Sequence, residues 1–561
     1  MHYRASRRIK ASTTWALLLP IALTCAVGTA FADPERLKRI VAFHGMQAPG
    51  FPAGTGLEFP GSPVTLNNDG EVAFHAEFIG ETSDAIWTEG SGTLQAIAVS
   101  GDAPAGVADP GAEYSNLGRR VLIDNTGHTA FNALWVDGDG EAQQGFWAGQ
   151  PDGTVRKVAT TGMVAPGTPP DHIFTKFGFP TNFVNDDDGE FFLGGGRVAF
   201  FGDTVDDPAA EDPLFGTLTG IWSERPTAFE RQLAVVARNG DDTTFGNRPL
   251  LTGMNRLGQT IFHVVINQPD ESFRSIWSEN GNLLLMVVRD GTDTGGVDFV
   301  SLGNNPDISA NGPSVFSAEM DGPPGDEDTA IFKQSPQQAG PVVVEGTVAP
   351  GLPDLSGDGV PDFLFGDFNF PGNKSHLMNR DGLVAFRNRA ATPDNSQTID
   401  GIWTGLGVSR LKLVAAEGDP APGLPAGTVF TQRIPLSNEW VLNERGHLMF
   451  RAEFETPDGT NGHGLWLWDG DKLIDMLVAV PDTADPDAEV QPDTLELPDG
   501  STLEIDFFEF TGGGPTDSGA NTGDGRGAGF SDTGELAVMV FDDLRGAVIT
   551  LNEFVFTSDF E

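Results

Sequence analysis

Residues Asn67–Phe74 read Asn-Asn-Asp-Gly-Glu-Val-Ala-Phe, and this stretch sets the pattern for the whole chain. The pattern is Asn or a substitute, Gly three residues later, and then a small residue followed by an apolar one. Its copies are Asn67–Phe74, Asp124–Phe131, Gly196–Phe200, Asn255–Phe262, Ser309–Phe316, Asn379–Phe386, Asn443–Phe450 and Ser531–Val538. The segment from one copy of the signature to the next is one supersecondary unit. Such a unit buries its apolar face only against neighbouring units. The sequence therefore predicts an array of eight such units.

Each unit carries two further landmarks after this signature. The first is an aromatic residue preceded by an apolar one: Trp87, Trp147, Trp222, Trp277, Phe332, Trp403 and Trp466. The second is an apolar run ending in a turn rich in Gly, Asp, Ala and Pro, clearest at Ala98–Pro104 and Ala415–Gly423. The fixed place of the Trp residues in the repeat favours packing between units over an aromatic platform for sugar.

The segments between these landmarks are short, alternating and rich in Val, Ile, Phe and Trp, as half-buried strands are. Asn-x-x-Gly suits the turn of a hairpin, because Asn bonds its own backbone and Gly accepts a positive φ. Four strands per unit, repeated eight times, predict an all-β fold, a closed β-propeller of eight four-stranded blades. A ring of seven blades with one displaced unit is the alternative.

The two ends of the chain supply complementary parts of one unit. Arg39–Gly50 resembles the end of a unit, whereas the last unit has strands at Leu536–Phe541 and Ala547–Leu551 but no clear fourth strand. We therefore expect the N-terminal strand, at Arg39–Phe43, to pair with the last blade and close the ring.

These repeats resemble a known class of bacterial exported proteins, which is described by a tandem Asn-x-x-Gly-x-x-Ala-Phe repeat. The resemblance covers nearly all of the chain after its N-terminus. It implies a surface or secreted protein of unknown activity, and it supplies no catalytic residues. Members often carry an interchangeable C-terminal anchor, but Thr550–Glu561 mixes Phe with acidic residues and is not a hydrophobic span.

The first 32 residues have the features of an export signal. Arg4, Arg7, Arg8 and Lys10 form a basic region, an apolar stretch follows, and Ala30-Phe31-Ala32 is a small-residue cleavage site. Both the Sec route and, through Arg7-Arg8, the twin-arginine route stay open. Cleavage after Ala32 removes the single cysteine, Cys25, so we expect no disulfides in residues 33–561.

Charge limits the range of partners. The formal net charge is −47, and removing the four basic residues of the signal leaves −51 on the mature chain. Such a field repels nucleic acid and anionic lipid, so we expect no nucleic-acid binding. It suits cations or basic partners, although solubility alone also explains it. We expect a monomer, secreted, periplasmic or on the cell surface, with no transmembrane segment.

Three acidic insertions interrupt the single domain predicted over residues 33–561. They lie at about 203–219, 354–370 and 481–532. The third keeps a strand-forming part at Thr494–Phe510 and continues into a Gly-rich loop at Gly512–Gly529.

The second insertion carries the clearest chemical motif. Asp354, Ser356, Asp358 and Asp362 hold positions 1, 3, 5 and 9 of a loop, Gly359 holds position 6, and Val360 offers its carbonyl at position 7. This spacing can wrap a hard cation, so it predicts a structural Ca²⁺ site. Phe365 stands where such loops usually have Glu, and an acidic turn without metal is the alternative. The acidic clusters Asp137–Glu141 and Asp186–Glu190 lack the full spacing and read as solvated turns.

Catalytic motifs are absent from the sequence. The histidines are scattered, and no His-Glu-x-x-His or Gly-x-Ser-x-Gly occurs. His75 and His263 each follow a signature Phe and could converge, but a strand face explains both. The sequence thus favours a non-catalytic exported scaffold that binds an unknown protein or glycan through its loop face. The alternative is a secreted propeller enzyme, a polysaccharide lyase or hydrolase, with its site at the channel mouth.

Overall fold

A computed structural model describes most of the chain. The described residues are 37–59, 64–177, 191–206, 218–226, 231–239, 249–267, 271–280, 283–291, 298–303, 305–309, 311–321, 327–335, 338–368, 376–431, 434–435, 439–480, 490–510 and 529–552. Within these ranges the strands form eight antiparallel sheets of four or five strands and one separate two-stranded hairpin. The sheets follow one another around a ring, so the fold is an eight-bladed β-propeller, as the sequence predicted.

The first strand, β1 (Leu37–Phe43), belongs to the last blade, and blades 1 to 4 follow it along the chain. Blade 1 contains β2 (Leu57–Glu58), β3 (Thr65–Leu66), β4 (Val72–Phe78), β5 (Asp84–Thr88) and β6 (Gln95–Val99). Blade 2 contains β7 (Glu113–Ile123), β8 (Thr129–Val136), β9 (Ala142–Gly149) and β10 (Val155–Thr160). Blade 3 contains β11 (Ile173–Phe177), β12 (Phe191–Gly194), β13 (Arg197–Val205), β14 (Leu218–Pro226) and β15 (Arg231–Arg238). Blade 4 contains β16 (Leu250–Met254), β17 (Thr260–Asn267), β18 (Ser272–Asn280) and β19 (Leu283–Arg289).

Blades 5 to 8 complete the ring. Blade 5 contains β20 (Phe299–Leu302), β21 (Asp307–Ile308), β22 (Ser314–Asp321), β23 (Glu327–Ser335) and β24 (Gln338–Val344). Blade 6 contains β25 (Leu364–Phe365), β26 (His376–Met378), β27 (Val384–Ala391), β28 (Thr398–Gly405), a 3-10 turn at Val408–Arg410 and β29 (Leu411–Ala416). Blade 7 contains β30 (Val429–Phe430), β31 (Trp440–Leu442), β32 (Leu448–Glu455), β33 (Asn461–Trp468) and β34 (Leu473–Ala479). A hairpin of β35 (Thr494–Glu496) and β36 (Thr502–Glu504) precedes blade 8, which contains β37 (Phe507–Glu509), β38 (Glu535–Phe541) and β39 (Gly546–Asn552).

Each blade has four strand positions, and the first lies nearest the axis of the ring. The first strands of successive blades contact one another, whereas the fourth strands form the rim. In five blades the first strand is broken into two pieces that pair with opposite ends of the second strand, as β2 and β3 pair with β4. Sequence reasoning expected one unbroken first strand, and the break gives each blade an extra loop beside the axis.

The ends of the chain close the ring as predicted. β1 pairs antiparallel with β39, from Leu37 opposite Leu551 to Phe43 opposite Ala547. The order β1-β39-β38-β37 makes β1 the fourth strand of blade 8. Thr494–Phe510 is strand-forming as expected, since it contains β35, β36 and β37.

Antiparallel strands divide the turns between two faces. The signature turns and the turns between third and fourth strands share one edge, which we call the Asn-turn face. The turns between second and third strands and the connectors between blades share the opposite edge, which we call the connector face. Any ligand-binding difference between the two ends of the propeller must come from these loops.

The core consists of apolar layers between adjacent blades. The signature Phe stacks on the Trp of its own blade, with ring centroids 6.1 Å apart for Phe386 and Trp403. Five of the six predicted Trp side chains are fully buried, and Trp277 is partly exposed: Trp87, Trp147, Trp222, Trp403 and Trp466 form the buried set. These rings serve packing rather than a shared sugar-binding surface.

Several predictions fall outside the described residues. These are the signal peptide at residues 1–32 with Cys25, the cluster Asp186–Glu190, and the Gly-rich loop except Gly529. Residues 207–217, 369–370, 481–489 and 511–528 of the three insertions, and 553–561 at the C-terminus, also lie outside them.

Candidate functional site

The signature turn binds its own backbone and the next blade at once. The Asn67 Oδ1 atom accepts hydrogen bonds from the Asp69 and Glu71 N–H groups, at 3.0 and 2.9 Å. Its Nδ2 donates to the Asp124 carbonyl of blade 2 at 3.1 Å. Gly70 closes the turn with φ 80°, a value that disfavours any side chain. Asn67 therefore supplies an amide donor to the next blade in addition to the bonds that form its own turn.

The same link recurs around the Asn-turn face. Asn255, Asn379 and Asn443 donate through Nδ2 to the carbonyls of Ser309, Asn443 and Ser531. The Arg380 N–H donates to Glu444, Glu444 to Asp532, and Asp532 to the Asn68 side chain, each to a side-chain oxygen within 2.9 Å. The last of these bonds joins blade 8 to blade 1, so the belt of turns continues across the closure.

Pairs of a partly buried Arg with a more deeply buried Glu reinforce this face. Arg39 donates to both carboxylate oxygens of Glu89 at 2.6 Å and to the Gly70 carbonyl at 2.6 Å. The hydrogen bond to Glu89 raises the pKa of Arg39 above its ordinary value, despite burial. Arg156 with Glu224 and Arg225 with Glu279 repeat the arrangement between later blades. Sequence reasoning missed these pairs, because their partners lie far apart in the chain.

The connector face holds the turns that receive the Trp residues of the following blade. The indole N–H donates to a carbonyl just before a Gly: Trp147 to Ala105, Trp222 to Pro166, Trp403 to Pro350 and Trp466 to Pro422, at 3.0–3.2 Å. Each of these four connectors therefore fastens two blades through one backbone carbonyl.

The two faces differ in charge. Lys38, Arg39, Arg156, Lys157, Arg197, Arg225, Arg231, Arg256, Lys333, Arg380, Arg410, Lys412, Arg445 and Lys472 lie toward the Asn-turn face, interspersed with carboxylates. Exposed carboxylates dominate the connector face: Glu81, Asp102, Glu113, Asp139, Glu141, Asp171, Glu271, Asp321, Asp354, Asp358, Asp394, Glu455, Asp458 and Asp543. The excess negative charge of the described residues thus lies toward the connector face.

The predicted calcium loop lies on the connector face, between blades 5 and 6, and is exposed. Asp354 accepts the N–H groups of Gly357 and Gly359 at 2.5 and 2.6 Å, and the bond from Gly359 contributes most to lowering its pKa. Asp362 accepts the Ser356 N–H at 2.7 Å, and Asp358 accepts the Val360 N–H at 2.9 Å.

The loop therefore has the backbone wrap expected of its spacing, but its carboxylates point to backbone donors. Across the described ranges, no group of three or more His, Cys, Asp or Glu side chains is arranged to hold a metal ion. Calcium at Asp354, Ser356, Asp358, Val360 and Asp362 stays a prediction.

His75 occupies a strand face, as the sequence favoured. It is buried in β4 and its Nε2 lies 2.9 Å from Asp84 Oδ2 in the neighbouring strand. Asp84 also accepts the Leu117 N–H of blade 2 at 3.2 Å. Burial raises the pKa of Asp84, but the hydrogen bonds from His75 and Ser100 outweigh it and leave that pKa below its ordinary value. His263 lies in β17 of blade 4.

A denser group of ionisable side chains lies at the seam between blades 7 and 8, and we call it the Arg451 cluster. Arg451 in β32 donates to both oxygens of Glu439 at 2.9 and 3.0 Å. Its side chain is 5% exposed, against 26% for Glu439. His463 and Glu453 are opposite each other in β33 and β32, on the same face of the sheet as Arg451.

Blade 8 completes the cluster with two aromatic rings. The Arg451 guanidinium lies 4.8 Å from the Phe507 ring centroid and 5.0 Å from that of Phe508. Burial raises the pKa of Glu439 although Arg451 opposes the shift, and burial followed by the charge of Arg451 lowers the pKa of His463. The cluster thus combines a carboxylate that resists ionisation, an imidazole that resists protonation, and a shielded cation.

Comparison with known proteins assigns a family but no activity. A family model described as a family of unknown function, DUF7453, matches residues 26–193 and 190–545. The chain belongs to this family. No curated protein matches the chain.

Several solved structures are distantly similar. One is the β-propeller domain of the Trilobed protease from Pyrococcus furiosus, 10% identical, with a TM-score of 0.30 over 74% of this chain and 95% of that chain. Another is an oligogalacturonate lyase in complex with manganese, 11% identical, with a TM-score of 0.31 over 80% and 99%. The polysaccharide lyase Uly1 is 9% identical, with a TM-score of 0.28 over 81% and 90%. Likenesses this distant carry no argument about what this member of the family binds.

Sequence reasoning did not find the Arg451 cluster. Arg451, His463 and Phe507 stand on three strands of two blades, Glu439 immediately precedes β31, and their spacing matches no motif. The available signal was the position after the signature Phe, which Arg451 shares with His75 and His263.

Among the described residues, no helix is long and apolar enough to cross a bilayer.

Proposed function

We propose that this protein is an exported, non-catalytic β-propeller scaffold that binds a protein or glycan through its connector face. The observation that carries the proposal is the difference between the two faces. Signature side chains of the Asn-turn face bond from blade to blade, as Asn67 does to Asp124. Connector turns such as that at Pro350 instead receive the next Trp through a backbone carbonyl, a bond that does not depend on the side chains of the connector. Loops that are not needed for closure are the ones free to serve binding.

Exposed apolar side chains lie among the carboxylates of the connector face, and others, such as Leu257 and Leu406, lie on the Asn-turn face. Ile79, Val164, Val348, Leu355, Val360, Phe507 and Leu544 are all exposed on the connector face, and Leu544 is 85% exposed. Apolar groups among carboxylates are the composition expected of a surface that meets a partner. The insertions at 203–219, 354–370 and 481–532 also depart from strand ends of this face or from first strands beside the axis.

Export forms part of the proposal. The basic region, apolar stretch and small-residue site of residues 1–32 support export to the periplasm, the cell surface or the medium. The acidic connector face then favours a neutral or cationic partner, because like charges at an interface are strongly disfavoured.

The test is carboxylate footprinting of purified residues 33–561 with and without a ligand found on a glycan array or in a cell-envelope extract. We expect protection of Asp102, Asp139, Asp358 or Asp458 on the connector face. The matched exposed carboxylates Asp69, Asp381 and Asp471 of the Asn-turn face should react equally in both states. Protection confined to the second set would refute the proposal.

A secreted polysaccharide lyase or hydrolase is the second candidate. The observation that favours it is the Arg451 cluster, since a half-buried carboxylate and a neutral imidazole are groups that transfer protons. Release of new reducing ends from neutral or acidic polysaccharides by the wild-type protein, lost in His463→Ala and Glu439→Gln, would establish it. Binding without any release supports the scaffold.

A further inference from the structure

Phe507 is unusual among the first-strand aromatic residues. Its neighbour Phe508 is fully buried in the core, whereas Phe507 is 39% exposed. Phe507 pairs with Phe541 at the connector end of β38, and the two ring centroids are 6.3 Å apart. An exposed Phe at this position contributes little to the core, so its presence needs another explanation.

The ring is held rigidly from beneath. The Arg451 guanidinium lies against it, and Arg451 is in turn fixed by two hydrogen bonds to Glu439 and by its own N–H, which donates to the Glu439 carbonyl at 2.9 Å. The guanidinium lies 4.8 Å from the ring centroid, and 39% of the Phe507 surface stays open to solvent. Phe507 is therefore a supported aromatic platform that faces solvent at the connector face.

Polar groups adjoin this platform. Glu439 is partly exposed, and within the described part of the chain Arg451 Nε and His463 Nδ1 have no hydrogen-bond partner. Buried polar atoms are nearly always bonded in folded proteins, so these two point to a ligand or to ordered water. A ring platform bordered by a carboxylate and an imidazole matches the apolar face and the hydroxyl groups of a hexose.

We propose that the seam between blades 7 and 8 is a sugar-binding subsite, in which a neutral or amino hexose stacks on Phe507 and bonds to Glu439 and His463. The inference rests on the proposed function and names the ligand class for one part of the connector face. Uronates are disfavoured, because Glu439 already neutralises Arg451, the cation of the cluster, and Glu453 lies close by.

The test is isothermal titration of the full mature chain with three hexamers: cellohexaose, chitosan hexamer and hexagalacturonate. We expect binding of cellohexaose or chitosan hexamer, at least tenfold weaker in Phe507→Ala and retained in Phe507→Trp. Leu257→Ala is the matched control, since Leu257 is 50% exposed on the Asn-turn face. Equal melting curves of the variants confirm that folding is intact.

Three results overturn the subsite: no binding of cellohexaose or chitosan hexamer, binding of hexagalacturonate alone, or equal affinities of wild type and Phe507→Ala. If Phe507→Ala destabilises the fold, the affinities of Glu439→Gln and Phe507→Trp are measured instead. An unchanged affinity of Glu439→Gln would then contradict the proposal. These results leave the scaffold proposal standing if footprinting still protects carboxylates of the connector face. Protection of carboxylates on the Asn-turn face alone would refute both the scaffold proposal and the sugar-binding subsite.

Discussion

Two turns with the same local geometry lie on opposite faces of this propeller. In Asn67–Glu71 and in Asp137–Glu141 the first residue bonds to the fifth through the backbone at 3.0 Å. The side-chain oxygens of Asn67 and Asp137 also accept the same two N–H groups, those of the third and fifth residues. The turns differ in what lies beyond them.

Asn67 is fully buried and its amide donates to blade 2, whereas Asp137 is half-exposed and its second oxygen accepts from Gln143 of its own blade. A carboxylate cannot donate the bond that Asn67 makes. One turn type therefore forms the belt between blades on the Asn-turn face and serves as a solvated loop on the connector face.

The largest effect is expected where a connector turn receives a Trp. Trp403→Ala removes a fully buried ring, its stacking on Phe386 and its bond to Pro350, so it should lower the free energy of unfolding by about 3–5 kcal/mol. The matched variant is Trp277→Ala, since Trp277 is partly exposed and its indole N–H donates to Ser275 of its own strand. Urea denaturation should show the smaller loss there, and equal losses would mean that the connector turns do not fasten the blades.

The next effect concerns the Arg–Glu pairs of the Asn-turn face. Glu224→Ala leaves Arg156 without its carboxylate and removes the acceptor of the Val198 N–H, so we expect a loss of about 3 kcal/mol. On the connector face, Arg389 is 54% exposed beside Asp400, and Asp400→Ala should cost less than about 1 kcal/mol. Similar losses in denaturation experiments would contradict the division between the faces.

A change toward the consensus should destabilise blade 2. Asp124 holds the signature Asn position, and its Oδ2 accepts the Gly196 N–H of blade 3 while Oδ1 accepts the Thr126 and His128 N–H groups. Asp124→Asn places an amide N–H₂ against one of these donors, and we expect a loss of about 1–3 kcal/mol. A gain in stability would show that the hydrogen bond from the Gly196 N–H to Asp124 does not stabilise the fold.

Acid titration provides the second readout for Asp124. Burial raises the pKa of Asp124, but hydrogen bonds from His128 and Thr126 outweigh it and hold that pKa below 3.8. Its contribution to stability is therefore present above pH 3.8 and is lost as the pH falls through the lower value of the folded state. Asp124→Asn should remove this part of the acid dependence, which thermal melts at successive pH values would detect.

The smallest effect is expected from calcium at the exposed loop of the connector face. A ligand that binds only the folded state at ten times its Kd stabilises it by about 1.4 kcal/mol. Millimolar CaCl₂ should therefore raise the melting temperature of the mature chain, and Asp358→Ala should abolish the rise. An unchanged wild-type melting curve would leave Asp354–Asp362 as an acidic turn.

The sequence was sufficient for the blades because the signature recurs with its Trp in a fixed place. It also located β1 as the closing strand, since the last unit lacks a fourth strand. It could not show that the Pro350 carbonyl accepts the hydrogen bond from the Trp403 indole. Every residue has a backbone carbonyl, so the residue type does not reveal which one is the acceptor. The breaks in the first strands were missed for a related reason: pieces of two or three residues, such as β3, are too short to leave an alternating pattern.

The candidate site was less accessible to sequence reasoning than the fold. The calcium spacing was visible because its residues are adjacent in the chain. Arg451 and Phe507, by contrast, meet only because the blades pack side by side, and nothing in the local sequence pairs them. The site therefore depends on register between blades, which a repeat predicts only coarsely.

The most direct test of the division between the faces is the unfolding free energy of the matched pair Asn67→Ala and Asp137→Ala, measured in urea on residues 33–561. Asn67→Ala loses a buried bond between blades as well as the turn bonds, so we expect a loss of about 2–3 kcal/mol, against less than about 1 kcal/mol for Asp137→Ala. Equal losses, or a larger loss for Asp137→Ala, would contradict the claim that the Asn-turn face holds the ring together while the connector face is free to bind.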